Sequence, residues 1–293
     1  MNRKIEFNIS LTARMACLKR AMSYNEKNKN YHSDDYLASL FISPFFCKII
    51  KNSILRRILK QLIGKYGSYE YIISRTKLID EFIENNAENI QQVLILGAGF
   101  DSRAIRFSDK LKHATIFELD SPLTQEFKRD KLKENNIEIP QNVKLIPINF
   151  NKESLQQKLD GVGFQKNQHT FFLLEGLIFY LDDSAVSDTF NIINQYACSN
   201  SIILFDYLYS SVIREENLYK GEKEVRIVLN RIGENYTFGI ERDKIKDFLT
   251  QYSFNLIENF DSDKLSKKFF KKDETSIIPV IDIYGIAIAN AVG

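Results

Sequence analysis

The sequence predicts an α/β protein built on a mostly parallel sheet, and three observations carry that expectation. Short apolar, β-rich runs alternate with helical stretches between Val93 and Phe205, the pattern of parallel strands joined by crossover helices. The first run ends in Gly97-Ala98-Gly99, directly before a helical stretch. The second run ends at Asp120, about twenty residues past Gly99, where such sheets carry a ribose-binding acid.

Ahead of the sheet, Asp35 to Lys65 is rich in Phe, Ile and Leu and carries Lys48, Lys51, Arg56, Arg57 and Lys60, with no acidic residue after Asp35. It reads as one or two amphipathic helices, either packed on the main domain with their charges in water, closing over a pocket, or docking on an anionic membrane surface. Ser68 to Asn85 has apolar residues at helical spacing and predicts a long helix leading into the sheet. Strands are expected at Val93–Leu96, Thr115–Leu119, Val143–Ile148, Thr170–Leu174 and Ser201–Phe205, most of them apolar enough to be covered on both faces. Helices are expected near Leu123–Asn135, Ser154–Leu159 and Ser184–Ala197. Ser121 is the N-cap of the first, with Pro122 at its first position, and Asp183 or Ser184 caps the last.

Beyond Tyr207 a charged helical stretch from Arg214 to Arg226 reads as an insertion between strands. A helix at Asp243–Gln251, a strand at Asn255–Phe260 and a last strand or hairpin at Ile277–Ala289 complete seven strands. The expected organisation is a single domain over 1–293, with a helical N-terminal cap over 1–67 and a lid-like insertion over 208–240.

Composition narrows the function classes. The 293 residues are 44% apolar, enough for one large core. Forty Lys and Arg nearly balance 38 Asp and Glu, so the strong basic bias of a phosphate-backbone binder is missing and no nucleic-acid partner is expected. Cys17, Cys47 and Cys198 are odd in number and far apart, which predicts reduced thiols and no metal site. Met1 to Leu11 lacks a leader-like apolar run, and no window reaches the roughly 18 apolar residues of a membrane span, so a cytoplasmic location is expected.

Three segments carry the chemistry. In Gln92 to Ala104 a strand ends in two glycines that permit a tight turn and close approach to a ligand. A dinucleotide site wants a third glycine three positions after the second, but Ser102 stands there, which disfavours NAD. Phe117 to Pro122 places Asp120 to accept hydrogen bonds from two ribose hydroxyls, or else to cap the following helix; Glu118, two residues away, shares its strand face or pairs with a basic residue. Phe171 to Leu181 delivers Glu175 to the carboxyl end of an apolar strand, where an unpaired carboxylate would be costly and a partner is required.

Together, Leu96-Gly-Ala-Gly-Phe-Asp-Ser-Arg103, Glu118-Leu-Asp-Ser-Pro122 and Glu175-Gly-Leu-Ile-Phe-Tyr-Leu181, with Arg75-Thr76 and Asp80 upstream, resemble the leucine carboxyl methyltransferase family over roughly residues 10–260. The resemblance implies a Rossmann-like class I methyltransferase fold with a mostly parallel seven-stranded sheet, S-adenosyl-L-methionine as cofactor and O-methyl transfer to a small acceptor. It implies that Arg75 clamps the methionine carboxylate as a bidentate partner, that Gly97 lines the methionine moiety with Gly99 also in the cofactor site, that Asp120 holds the ribose and that Glu175 sits near the ammonium. Where many relatives place Asp-Leu against adenine, this chain has Asn149-Phe150, which supplies an amide acceptor and a ring cover. Lys19 and Asp101 are further candidates for the cofactor site.

A sulfonium-bound methyl is already activated, so the protein has mainly to align reactants and exclude water. A carboxylate acceptor is ionised near neutral pH and needs no base. A hydroxyl acceptor needs one, and His169, Tyr180, Asp206 and Tyr207 are the candidates near the motifs. The acceptor is expected between residues 31–64 and 208–238 and to be lipophilic. The competing readings are a noncatalytic cofactor-binding module, an NAD-dependent oxidoreductase and a nucleic-acid methyltransferase. Arg75→Ala and Asp120→Ala are both expected to weaken cofactor binding with the fold intact.

Overall fold

The apolar runs form one seven-stranded sheet in a computed structural model that describes residues 10–150, 152–271 and 277–292. The opening residues 1–9, read as lacking a leader, lie outside the described residues, as does Gly293. In chain order the elements are α1 (Leu11–Tyr24), α2 (Pro44–Lys51), α3 (Ser53–Ile63), α4 (Ser68–Asn86), β1 (Gln92–Leu96), α5 (Arg103–Arg106), β2 (Thr115–Asp120), α6 (Pro122–Glu134), β3 (Val143–Pro147) and α7 (Leu155–Gly161). They continue as β4 (Thr170–Leu174), α8 (Asp183–Tyr196), β5 (Ile202–Leu208), α9 (Ser210–Ile213), α10 (Glu222–Ile232), α11 (Ile245–Gln251), β6 (Phe254–Phe260), α12 (Ser262–Phe270) and β7 (Tyr284–Ala291).

The strand order is β3-β2-β1-β4-β5-β7-β6, parallel through β5, with β7 antiparallel to both its neighbours. Every residue of β1 and β4 is buried, as the near-continuous apolar runs require of strands covered on both faces. Phe82 of α4 packs on Phe171 on one side of the sheet, and Phe190 of α8 packs on Phe205 on the other. Of the stretch expected as a last strand or hairpin, Ile277 makes only an isolated bridge to Lys271 and the strand β7 begins at Tyr284.

Local chemistry sets the helix starts. Ser121 caps α6, accepting from the Thr124 amide with Pro122 at the first position. The cap of α8 is Asp182, one residue before the expected pair, because its carboxylate reaches the Ala185 amide. The helices before the sheet assemble on α4, with α1, α3 and α12 packed against it. No helix among the described residues is long and apolar enough to cross a membrane. Cys17 is buried in the core, where burial pushes its thiol up to about 12.

Candidate functional site

Strand register brings the singled-out residues into one row. Leu96 pairs with Leu119, Ile95 with Leu173 and Leu174 with Phe205. Asp120, Gly97, Glu175 and Asp206 therefore follow one another along the carboxyl edge, at the point where the strand order reverses between β1 and β4. A cavity of about 500 Å³ opens there, within the range of small-molecule sites. Lys19, Arg75, Gly97, Gly99, Asp101, Asp120, Asn149, Phe150, Glu175 and Tyr180 all line it.

Gly97 (φ +66°) and Gly99 (φ +52°) take left-handed backbone conformations. A Cβ on Gly97 would come within 2.8 Å of a Leu177 methyl and push it aside, and at both glycines the left-handed φ strains any side chain. Asp120 holds the turn in place: one carboxylate oxygen accepts from the Gly99 amide (2.7 Å) and the other from the Ser121 amide (2.6 Å). Burial raises its pKa, and those two amides oppose the rise. Glu118, two residues back along β2, is buried in the core and pairs with Lys128 at 2.5 Å, so it is a structural residue.

Beneath the cavity lies a network of buried charges. Arg75, on α4, bonds Glu175 at 2.8 Å and also binds Asp206, which in turn accepts from the Tyr71 hydroxyl (2.8 Å) and the Gly176 amide (2.6 Å). Arg103 bonds the other Glu175 oxygen (2.6 Å), Asp101 (2.8 Å) and Asp80 (2.6 Å). Arg20 extends the network through Asp35 (2.7 Å) and the Phe100 carbonyl (2.6 Å). Burial alone would raise the Glu175 carboxyl, but Arg75, Arg103 and Arg20 outweigh it and hold Glu175 well below the usual carboxylate range.

Both terminal nitrogens of Arg75 are thus engaged within the protein, which corrects the picture of a guanidinium fork kept free for a bidentate ligand. Its Nε is buried without a hydrogen-bond partner. A guanidinium has five N–H groups, so donors remain for a ligand carboxylate at the cavity wall. Lys19 donates to the Ser68 carbonyl (3.2 Å) and hydroxyl (3.1 Å), which leaves a third N–H, and burial lowers its ammonium to about 8.

The remaining candidates separate. His169 precedes β4 at the amino edge of the sheet, where its Nε2 meets the Asn200 carbonyl at 2.6 Å, so it stands away from the cavity. Tyr207 points to the other face of β5 and donates to Asn259 at 3.0 Å. Asp206 acts on the cavity through Arg75 and is not on its wall. Tyr180 does line the cavity, and burial holds its hydroxyl above the usual range.

Several wall residues carried no sequence signal. Tyr71, Tyr236 and Tyr284 join Tyr180 and Phe179 in an aromatic group, with the Tyr236 and Tyr284 hydroxyls 2.5 Å apart. Glu234, just after α10, accepts from Ser10 Oγ (2.9 Å), the Leu11 amide (2.7 Å), the Thr12 amide (3.2 Å) and the Thr12 hydroxyl, clasping the start of α1. Glu234→Ala should leave those donors without their acceptor and lower stability by about 1–2 kcal/mol, the upper range of a lost helix cap, read by urea denaturation.

Fold and cavity define a Rossmann-like α/β protein of class I methyltransferase architecture. A crystal structure of a "putative methyltransferase" from Thermobifida fusca YX has the same fold, with a TM-score of 0.64 at 14% identity, covering 99% of this chain and 98% of that one. The chain belongs to the leucine carboxyl methyltransferase family, whose model matches residues 13–194. It is 27% identical over 193 residues to "Putative S-adenosyl-L-methionine-dependent methyltransferase YktD" of Bacillus subtilis (strain 168), a match over 65% of this chain and 63% of that protein. A Mycobacteroides abscessus protein, "Putative S-adenosyl-L-methionine-dependent methyltransferase", is 33% identical over 152 residues, 49% of this chain and 50% of its own length. The aligned region thus spans between half and two thirds of these curated relatives.

Proposed function

We propose that the chain is an S-adenosyl-L-methionine-dependent O-methyltransferase acting on a small lipophilic acceptor. The observation that carries this reading is the convergence of a glycine turn, Asp120, Arg75 and Glu175 on one cavity whose remaining wall is mostly apolar and aromatic, with Lys19, Asp101 and Glu234 among its charged members. The residues fit a nucleoside with an amino-acid tail. Asp120 would take the ribose hydroxyls, Asn149 and Phe150 the adenine, the unused donors of Arg75 the tail carboxylate, and Glu175, with Asp101 beside it, the tail ammonium. Lys19 would add a second cation toward the carboxylate. Bound there, the cofactor supplies a sulfonium-activated methyl, and the chain's own part is to align the acceptor and keep water out.

The acceptor half favours an ionised oxygen. Tyr180 stays protonated at neutral pH, so its O–H would orient an acceptor and would not deprotonate it. Glu175 is held by two arginines, Glu234 by the first turn of α1, and Asp120 by two amides. A carboxylate acceptor needs no base and suits this wall better than a hydroxyl. Leu62 and Ile63 on one side and Val225, Val228, Leu229 and Ile232 on the other supply apolar contact, with the 208–240 segment as the lid.

Calorimetric titration with S-adenosyl-L-methionine, S-adenosylhomocysteine and NAD tests the reading. Saturable binding of the first two without NAD is expected, and NAD binding alone overturns it. Retained binding with no turnover across lipophilic carboxylates and hydroxyls would point to a noncatalytic module. Asp120→Ala should fold normally, because water in the cavity replaces its two amide contacts, yet bind the cofactor about 10- to 100-fold more weakly, the worth of charge-assisted hydrogen bonds.

A further inference from the structure

The basic, Phe-rich stretch between residues 41 and 65 leaves an apolar face uncovered at the mouth of the cavity. On α3, Ile54 (69% exposed), Leu55, Ile58 and Leu62 (65%) share one arc of the helix, while Arg56, Leu59 and Ile63 face the protein. Phe45 of α2 is 67% exposed beside them in sequence. Asn52 caps α3 by accepting from the Ile54 and Leu55 amides, so the helix presenting this arc is well formed. Leu62, and across the opening Val228 of α10 and Met15 of α1, are exposed and line the cavity as well, so the apolar face runs into its rim.

The charge carried by α2, α3 and the turn after them has one sign, while at the α10 rim the exposed Glu224 accepts from the Tyr66 hydroxyl. Lys48, Lys51, Arg57 and Lys65 are exposed and have no ion pair among the described residues, and no acid occurs between Tyr36 and Tyr69. Of the other two cations, Arg56 is buried against Glu26 and Lys60 pairs with Glu70. An apolar arc flanked by unpaired cations is the composition of a helix that lies in a bilayer interface. A second copy of the chain fits poorly, since a two-fold contact would set the four cations against themselves.

We propose that α2 and α3, with the exposed rim of α10, dock this protein on an anionic phospholipid surface, so that the cavity mouth faces lipid. The apolar arc enters the headgroup boundary and the cations meet lipid phosphates. Only the consequence, that a lipophilic acceptor enters from the membrane, rests on the methyltransferase reading; the docking does not.

The test is flotation of the full chain with vesicles of phosphatidylcholine alone or containing about one third phosphatidylglycerol, an anionic fraction that sets up the attracting surface potential. The parent chain should float with the anionic vesicles only, and should be released near 1 M salt, where screening shortens to about 3 Å. Each cation contributes about fivefold in partitioning, so Lys48→Glu/Lys51→Glu/Arg57→Glu should lose binding by about a hundredfold or more. Ile54→Ser/Ile58→Ser should lose it with the charges intact. Cofactor titration of the same variants checks that they fold, and a parent that floats but binds no cofactor would sink the methyltransferase reading alone. Absence of flotation, or flotation unaffected by either set, overturns docking. A parent that light scattering finds dimeric, with the Ile54→Ser/Ile58→Ser chain monomeric, overturns it in favour of an interface between copies.

Discussion

Arg75→Ala should lower stability by about 3–5 kcal/mol and abolish measurable cofactor binding, because it removes the cation shared by two buried carboxylates. Glu175 keeps Arg103, and Asp206 keeps the Tyr71 hydroxyl and the Gly176 amide, but both lose the guanidinium that joins α4 to the ends of β4 and β5. Against a total stability of about 5–15 kcal/mol this is a large fraction. The expectation that this substitution spares the fold does not survive the burial of the side chain. Arg75→Lys should fall between, since a single ammonium cannot span both partners with a planar fork. Urea denaturation and calorimetry together check the result. A variant with parental stability and affinity would show that neither the ion network nor the ligand depends on Arg75.

Lys128→Met is expected to cost little below about pH 7 and to approach about 3–5 kcal/mol only in alkali, a pH dependence that identifies the cause. Lys128 and Glu118 are both 0% exposed, and Lys128 also donates to the Asp101 carbonyl, tying α6 to the loop after the glycine turn. Burial pushes the Glu118 carboxyl up to about 7 against the pull of Lys128, and its second oxygen has no partner. A carboxyl whose folded pKa exceeds its unfolded value, roughly 4.3, contributes stability that is complete at low pH and lost as pH rises through the folded pKa. For the parent that window runs from roughly 4.3 to about 7. Without Lys128 it extends upward, at about 1.4 kcal/mol per pH unit, so the variant should be near parental stability around pH 5 and weakest in alkali. Glu118→Gln/Lys128→Met should remove the slope. A penalty independent of pH would instead mean that the lysine stem's packing, and not its charge, holds this region.

Six of the seven strands were legible to within one residue at their starts, because an apolar run bounded by turn residues has few other solutions in a sheet, whereas the last begins at Tyr284, seven residues after the expected Ile277. Cap chemistry was nearly as clear: Ser121-Pro122 holds as read, while the α8 cap slid one residue to Asp182, a choice made by which carboxylate reaches the Ala185 amide. His169 shows a different limit. A residue just before a strand lies at the amino edge, so nearness in sequence to the Glu175 motif placed it at the wrong end of β4. Tyr207 fails by alternation, since Asp206 already faces α4 and its neighbour must face away.

The sequence by itself determined the alternation of strands and helices, the glycine turn and the acids that close β2 and β4, because each depends on residues close together in the chain. Only the tertiary structure decided that Arg75 spends its terminal nitrogens on Glu175 and Asp206, that Lys128 neutralises Glu118, and that Tyr236, Tyr284 and Glu234 complete the wall. These pairings are set by which side chains share a desolvated space after the sheet has formed. A buried charge takes whatever partner the packing brings within reach, and no local pattern records that choice.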